Sequence, residues 1–188
     1  RFTTGQRKQY WNKNCIAIGL SSGFIEPLES TSIHVIQNGI MWLLLMFPDL
    51  SIEESTVREY NTKMRSEAEH IRDFIVLHYA LNERHGDPFW DHCRNMELPD
   101  SLKHRMELFE RSARVFKPQD DVFAENSWVQ VMMGQGLTPQ GYHNIAQAMS
   151  SEQMTAFLKG IQHEVAQTVA KLPQHGAFVN TLIQHAKV

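Results

Sequence analysis

Apolar positions recur along most of the chain with a helical period. Ser150 with Gln153 three residues on reads as a capping box, and Met154, Phe157, Leu158, Ile161, Val165, Val169 and Leu172 then fall on one stripe that Pro173 ends. That stripe is expected to pack within the chain. A second helix is expected from Ser51, again with a capping box to Glu54, carrying Val57, Tyr60, Met64, Ile71, Phe74 and His78 on one face as far as about Asn82. A third runs from Ser30 or Thr31 to Phe47 and stops ahead of Pro48; its apolar residues surround the axis in the second half, which predicts burial. Shorter helices are expected at Phe89–Arg94, with Asp87 as cap and Pro88 in the first position, and from about Ser101 to Ala113. Two more are expected: one behind a cap at Asn126 or Ser127, ended by Gly134 and Gly136, and one from about Ala177 to His185. A single run, Cys15-Ile16-Ala17-Ile18 closed by Gly19, reads as a strand buried on both faces. Its partners are expected in another chain or ahead of Arg1. The fold class is therefore mainly α with one orphan strand near the N-terminus.

Composition narrows the function classes. A chain of 188 residues with 42% hydrophobic and 21% charged residues supports one ordinary core. The net charge of −3 comes with 18 scattered Lys and Arg, which gives nucleic acid no electrostatic footprint. Cys15 and Cys93 form neither a disulfide framework nor a zinc spacing, so a cytoplasmic location is expected. The most apolar run, Ile40 to Phe47, falls well short of the roughly 20 residues that span a bilayer, so no membrane partner is expected. The N-terminal residues lack the apolar stretch of a signal peptide and read as a cut edge. Ten histidines show no HExxH or two-His-one-carboxylate spacing, and the expected metal is none. Among the tryptophans, Trp128 near Gly134 and Gly136 is the best candidate for a pocket wall, set against the ordinary role of large aromatics in a core.

The densest chemistry lies between Asn14 and His34. Gly19, Ser21, Ser22 and Gly23 form a small-residue turn that permits close backbone approach, and the helix start at Thr31 and Ser32 offers free N–H groups to an anion. Glu29 stands immediately before it, where a carboxylate can accept a proton or steady a developing cation. The same residues also fit a plain strand-to-helix turn in which Ser30 or Thr31 caps the helix and Glu29 favours its dipole.

The run Gly23-Phe24-Ile25-Glu26-Pro27-Leu28-Glu29-Ser30-Thr31, preceded by Asn14-Cys15-Ile16-Ala17-Ile18-Gly19-Leu20-Ser21-Ser22, resembles the motif of flavin-dependent tryptophan halogenases. Asp73-Phe74-Ile75-Val76-Leu77-His78-Tyr79 and Pro88-Phe89-Trp90 are similar to the C-terminal half of that family. The resemblance implies the helical C-terminal portion of a flavin-monooxygenase-like α/β enzyme, with residues 1–29 ending the FAD-binding core and residues 30–188 forming a substrate-side domain. It implies reduced FAD supplied by a separate flavin reductase, oxygen and a halide co-substrate, chloride or bromide, with hypohalous acid reaching an electron-rich aromatic such as an indole. By position, Glu29 and its neighbour Ser30 resemble the catalytic residues, Thr31 and Ser32 the halide-binding pair, and Leu20 and Ile33 flavin-contacting positions. The family's glycine-rich dinucleotide motif and catalytic lysine are expected in an N-terminal half outside these residues, so the isolated chain is expected to be inactive. Further partners are that missing half and a homodimer mate. Two alternatives stand beside this reading: a monooxygenase-like relative in which Ser32 closes the halide site, and a non-catalytic helical binding module.

Overall fold

The computed structural model describes residues 4–118 and 121–186. Four two-residue strands come first: β1 (Gly5–Gln6), β2 (Trp11–Asn12), β3 (Cys15–Ile16) and β4 (Gly23–Phe24). Seven helices follow among the described residues: α1 (Ser32–Leu45), α2 (Glu54–Ala80), α3 (Pro88–Asn95), α4 (Asp100–Ser112), α5 (Glu125–Gly134), α6 (Ser151–Lys171) and α7 (His175–His185). The mainly α class holds.

The strand expected to be orphaned has its partner within the chain. β3 pairs antiparallel with β2, Trp11 opposite Ile16 and Asn12 opposite Cys15, across a tight turn in which Lys13 takes a left-handed φ of 55°. Cys15 is exposed, so the run is a hairpin arm and not a strand covered on both faces. β1 pairs antiparallel with β4. Gly23 is required there, since a Cβ would stand 2.7 Å from the Gly5 carbonyl oxygen. The close approach expected of the small-residue turn is thus made at Gly23 by the chain's own β1.

Local chemistry places several helix ends where the sequence put them. The Asp87 carboxylate accepts from the Phe89 and Trp90 amides ahead of α3, with Pro88 in the first turn. The Ser150–Gln153 box closes reciprocally at the start of α6. The box expected at Ser51 does not form: the Ser51 hydroxyl turns to Glu53, and α2 begins behind Glu53 without a side-chain cap. α5 likewise opens behind Ala124, leaving Asn126 and Ser127 inside its first turn.

α2 organises the core. Its second half joins α4 and α5 through Phe74, Leu77, Leu102, Phe109, Trp128 and Met132, and Phe74 stacks on Phe123 at 3.9 Å and meets Trp128 edge-on at 4.7 Å. Each such side chain contributes about 1.5–3 kcal/mol by leaving water. Its first half packs Tyr60 and Met64 against Tyr10 and Trp11 of the hairpin. Asn61 ties the two together, accepting from the Tyr10 and Trp11 amides and donating to the Trp11 carbonyl. α1 meets α2 at Gly39, whose carbonyl accepts from the Tyr60 hydroxyl at 3.1 Å. Gly39 is the one buried residue of α1; Leu44 and Leu45 are each 69% exposed, so the expected burial of the helix's second half does not occur. Contact along one edge with α2 covers one side only.

The chain divides into two compact units, Arg1–Tyr142 and His143–Val188, and residues 4–29 pack as part of the first. The second holds a short turn at Asn144–Ala148, α6 and α7. No residue of α6 or α7 is buried, and Phe157, Leu158, Ile161, Val165 and Val169 all stand exposed. The stripe exists as expected, but it does not pack within the described residues.

Candidate functional site

The loop between β4 and α1 is folded by its own turn. The Ser30 amide donates to the Pro27 carbonyl at 2.9 Å, and Ser30 takes a φ of 53°, a left-handed conformation that costs a side-chain-bearing residue energy. The reversal sends Glu26 and Glu29 toward the C-terminal end of α2. There they meet two consecutive residues: Glu29 Oε1 lies 3.1 Å from His78 Nε2, and Glu26 Oε2 accepts from the Tyr79 hydroxyl at 2.6 Å. The hydrogen bond to Glu26, followed by burial, pushes the Tyr79 phenol up to about 12. His78 is held from its other side as well, with Nδ1 2.7 Å from the Phe74 carbonyl and the ring edge-on to Phe74 at 4.9 Å.

Tyr79 also stacks on Trp90 at 5.9 Å, and Phe89 stands edge-on to both rings. Asp87 and Pro88, by starting α3, deliver this pair of aromatics to the end of α2. Arg84 lies over the outer face of the cluster, 4.6 Å from the Trp90 centroid.

Beside the loop is a cavity of about 500 Å³, walled by Leu20, Phe24, Glu26, Ser32 and Ile36 on one side and by Ala68, Ile71, Arg72 and Ile75 of α2 on the other. Its lining is mostly apolar, as in sites that take flat organic molecules. Glu26 belongs both to the cavity and to the contact with Tyr79, whereas Glu29 is not among the cavity walls. Thr31 is buried, and no side chain caps the first turn of α1, so the backbone donors at Ser32 and beyond have no side-chain acceptor. Ser32 is exposed and lines the cavity. Leu20 and Ile33 are 80% and 70% exposed, large bare apolar side chains near the helix start.

The turn serines are committed internally. The Ser21 hydroxyl donates to the Ile18 carbonyl and accepts from its amide, and the Ser22 hydroxyl donates to the Gly19 carbonyl. Trp128 is fully buried between Phe74 and the Arg105 guanidinium, 3.8 Å from its ring centroid, and it stands in the core and not on the cavity wall. The sequence reading assigned no role to Glu26, His78 and Tyr79. A carboxylate pair three residues apart, in a loop that must turn back on a helix ending in His-Tyr, is the signal that could have found them. Among the described residues no three His, Cys, Asp or Glu side chains are grouped to hold a metal ion, and no helix is long and apolar enough to cross a membrane.

Residues 1–151 match the family model described as tryptophan halogenase. The tryptophan 6-halogenase ThaL of Streptomyces albogriseolus is 34% identical over 121 residues, which is 64% of this chain and 23% of that protein. The structure of Xcc4156, a flavin-dependent halogenase from Xanthomonas campestris, superposes with a TM-score of 0.92 at 50% identity over 96% of this chain and 36% of its own. BrvH, a flavin-dependent halogenase from Brevundimonas sp. BAL3, gives a TM-score of 0.88 at 38% identity over 95% of this chain and 36% of its own. The chain thus spans about a third of the solved structures it matches and a smaller share of that curated relative. With the family model matched over residues 1–151 and a matching fold over nearly all its length, the chain belongs to the tryptophan halogenase family of flavin-dependent enzymes.

Proposed function

We propose that these residues are the helical, substrate-side part of an FAD-dependent halogenase that acts on an electron-rich aromatic such as tryptophan or another indole. The observation that carries this reading is the placement of Glu29, fastened to His78 immediately ahead of an uncapped helix start, in a chain of this family. In the proposed division of labour, residues 1–29 close the edge of the FAD-binding part, and residues 30–188 belong to the substrate side.

FAD fits here only at an edge. Leu20 and Ile33 offer bare apolar side chains to a flat ring system, while these residues carry no glycine-rich dinucleotide motif. When bound, reduced FAD with oxygen supplies the oxidising equivalents that make a halide electrophilic, and a flavin reductase is the partner that reduces it. The backbone donors at Thr31 and Ser32 hold the halide, where the partial positive charge of the helix start favours an anion. Glu29 steadies the positive charge that develops when the aromatic ring takes up halogen, and it accepts the proton that the same ring carbon loses. Ser30 sets the direction of Glu29 through its left-handed turn.

The test is the full-length gene product containing these residues, assayed by mass spectrometry with FAD, a flavin reductase, bromide or chloride and a panel of indoles and phenols. Halogenated product from the native protein, lost in Glu29→Gln while flavin absorbance persists, is the expected result. Hydroxylated product without halogenation at high halide favours the monooxygenase-like alternative, and a protein with no flavin absorbance favours a binding module.

A further inference from the structure

His78 is held at both of its ring nitrogens. Its Nδ1 lies 2.7 Å from the Phe74 carbonyl oxygen, which can only accept, so Nδ1 carries a hydrogen. Its Nε2 lies 3.1 Å from Glu29 Oε1. With Nδ1 turned to the carbonyl, Nε2 is the ring nitrogen left to face the Glu29 carboxylate. Neither group is free to wander, since the side chains are 20% and 29% exposed and the ring is backed by Phe74. The adjacent carboxylate does not compete, because Glu26 is taken by Tyr79. Among the described residues Oε2 of Glu29 has no hydrogen-bond partner.

We propose that His78 is the positioning residue of Glu29, holding Oε1 through its Nε2 so that Oε2 is presented to the aromatic substrate. The inference rests on the halogenase reading of Glu29 and assigns a role to a residue on a different element, the last turn of α2. The two fixed ring contacts hold the carboxylate within a narrow range of directions, which is what a group that must meet one ring carbon requires.

His78→Met and His78→Gln decide the matter in the full-length gene product. The two side chains are close in length, and only Gln carries an N–H that can reach the carboxylate. His78→Met is expected to lose about 100-fold in kcat, the scale of a misplaced catalytic group, with KM and flavin content within about twofold of native, and His78→Gln to regain at least about tenfold of that loss. Equal kcat in the two variants, or a loss confined to KM, overturns the proposal. Glu29→Gln separates the two levels: native rates in Glu29→Gln overturn the reading of Glu29 itself, whereas an inactive Glu29→Gln beside a fully active His78→Met overturns only the role of His78. If neither His78 variant folds, the ¹⁵N signal of the ring Nε2 is compared between the native protein and Glu29→Gln: movement of that signal supports the pairing, and an unmoved signal overturns it.

Discussion

α2 and α6 are the two longest helices among the described residues, at 27 and 21 residues, and both carry a continuous apolar stripe. Their outcomes differ: α2 buries nine residues and α6 none. α2 is met by the hairpin at its first half, by α1 at Gly39, and by α4 and α5 at its second, so its apolar face has partners toward both ends. Periodicity specifies which face of a helix seeks cover, and only the packing of other elements supplies it. The functional residues follow the same division, since Glu26 and Glu29 are held where α2 is already fixed from below by Phe74 and Leu77.

The largest effect expected from this comparison is in the core. Leu77→Ala removes a fully buried side chain from the junction of α2, α4 and α5 and is expected to cost about 2–5 kcal/mol in denaturant unfolding. Val165→Ala on the exposed stripe of α6 is expected to stay within about 0.5 kcal/mol. Equal losses from the two substitutions would break the comparison by showing that the α6 stripe is covered in solution.

Next comes the tie between α2 and the hairpin. The Asn61 amide is the partner of three backbone groups, the Tyr10 and Trp11 amides and the Trp11 carbonyl, beside two nearly inaccessible aromatic rings. Asn61→Ala strands those groups, and the expected cost is about 2–3 kcal/mol, measurable as a lowered unfolding midpoint. A cost below about 0.5 kcal/mol would mean that water replaces the amide there and that the hairpin is not held by α2.

How much of this was legible beforehand divides along local and non-local lines. Asp87-Pro88 and Ser150 with Gln153 could be read because a cap and its recipient lie within one turn of each other. The mainly helical class and the importance of the Glu29 segment could be read for the same reason. The pairing of Cys15–Ile16 is not legible because an apolar run does not reveal a reversal at Lys13, which depends on one left-handed residue of a type that seldom adopts it. Ser51 has the sequence of a cap, but a nearer carboxylate, Glu53, takes its hydroxyl. Of the pairings of Glu29 with His78 and Glu26 with Tyr79, the spaced carboxylates and the His-Tyr helix ending are legible as a signal, but which carboxylate meets which partner is not, since each pairing joins a loop to the far end of a helix that begins well after it. His78 in particular reads as one more position on the apolar face of α2.

The clamp on α2 also gives the protein a direction of pH sensitivity. Tyr79 is raised from 10.0 to about 12 chiefly by its hydrogen bond to Glu26, and Tyr10 is raised to about 12 chiefly by burial. Burial raises Tyr60 too. For a group whose folded pKa lies above its unfolded one, the stabilisation is complete below the unfolded value and is lost as pH climbs through the folded one. Stability is therefore expected to hold up to about pH 10 and to fall between about pH 10 and 12, as the unfolded chain ionises first. Unfolding followed against pH, with phenolate absorbance in parallel, checks this. Tyr79→Phe should cost about 1 kcal/mol at neutral pH and make the alkaline fall shallower. An unchanged alkaline profile in Tyr79→Phe would show that the loop is not fastened through Glu26.

The smallest effect is expected where α6 depends on itself. With no buried residue, its helicity rests on propensity and on the box at its start, where the Ser150 hydroxyl accepts from the Gln153 amide at 3.3 Å and the Gln153 side chain accepts from the Ser150 amide at 2.9 Å. Ser150 also orients Glu152, whose carboxyl is held below its usual value by that hydroxyl and sits in the first turn, where a negative charge suits the helix dipole. Ser150→Ala removes the hydroxyl that caps the Gln153 amide and is expected to cost about 1 kcal/mol, read as lost amide protection confined to the first turns of α6. In α2, which has no side-chain cap, amide protection is expected to stay unchanged in the same variant because packing carries that helix. Should Ser150→Ala leave α6 protection at its native level, the helix must be drawing stability from contacts on its apolar stripe, and its contrast with α2 would be one of partner and not of kind.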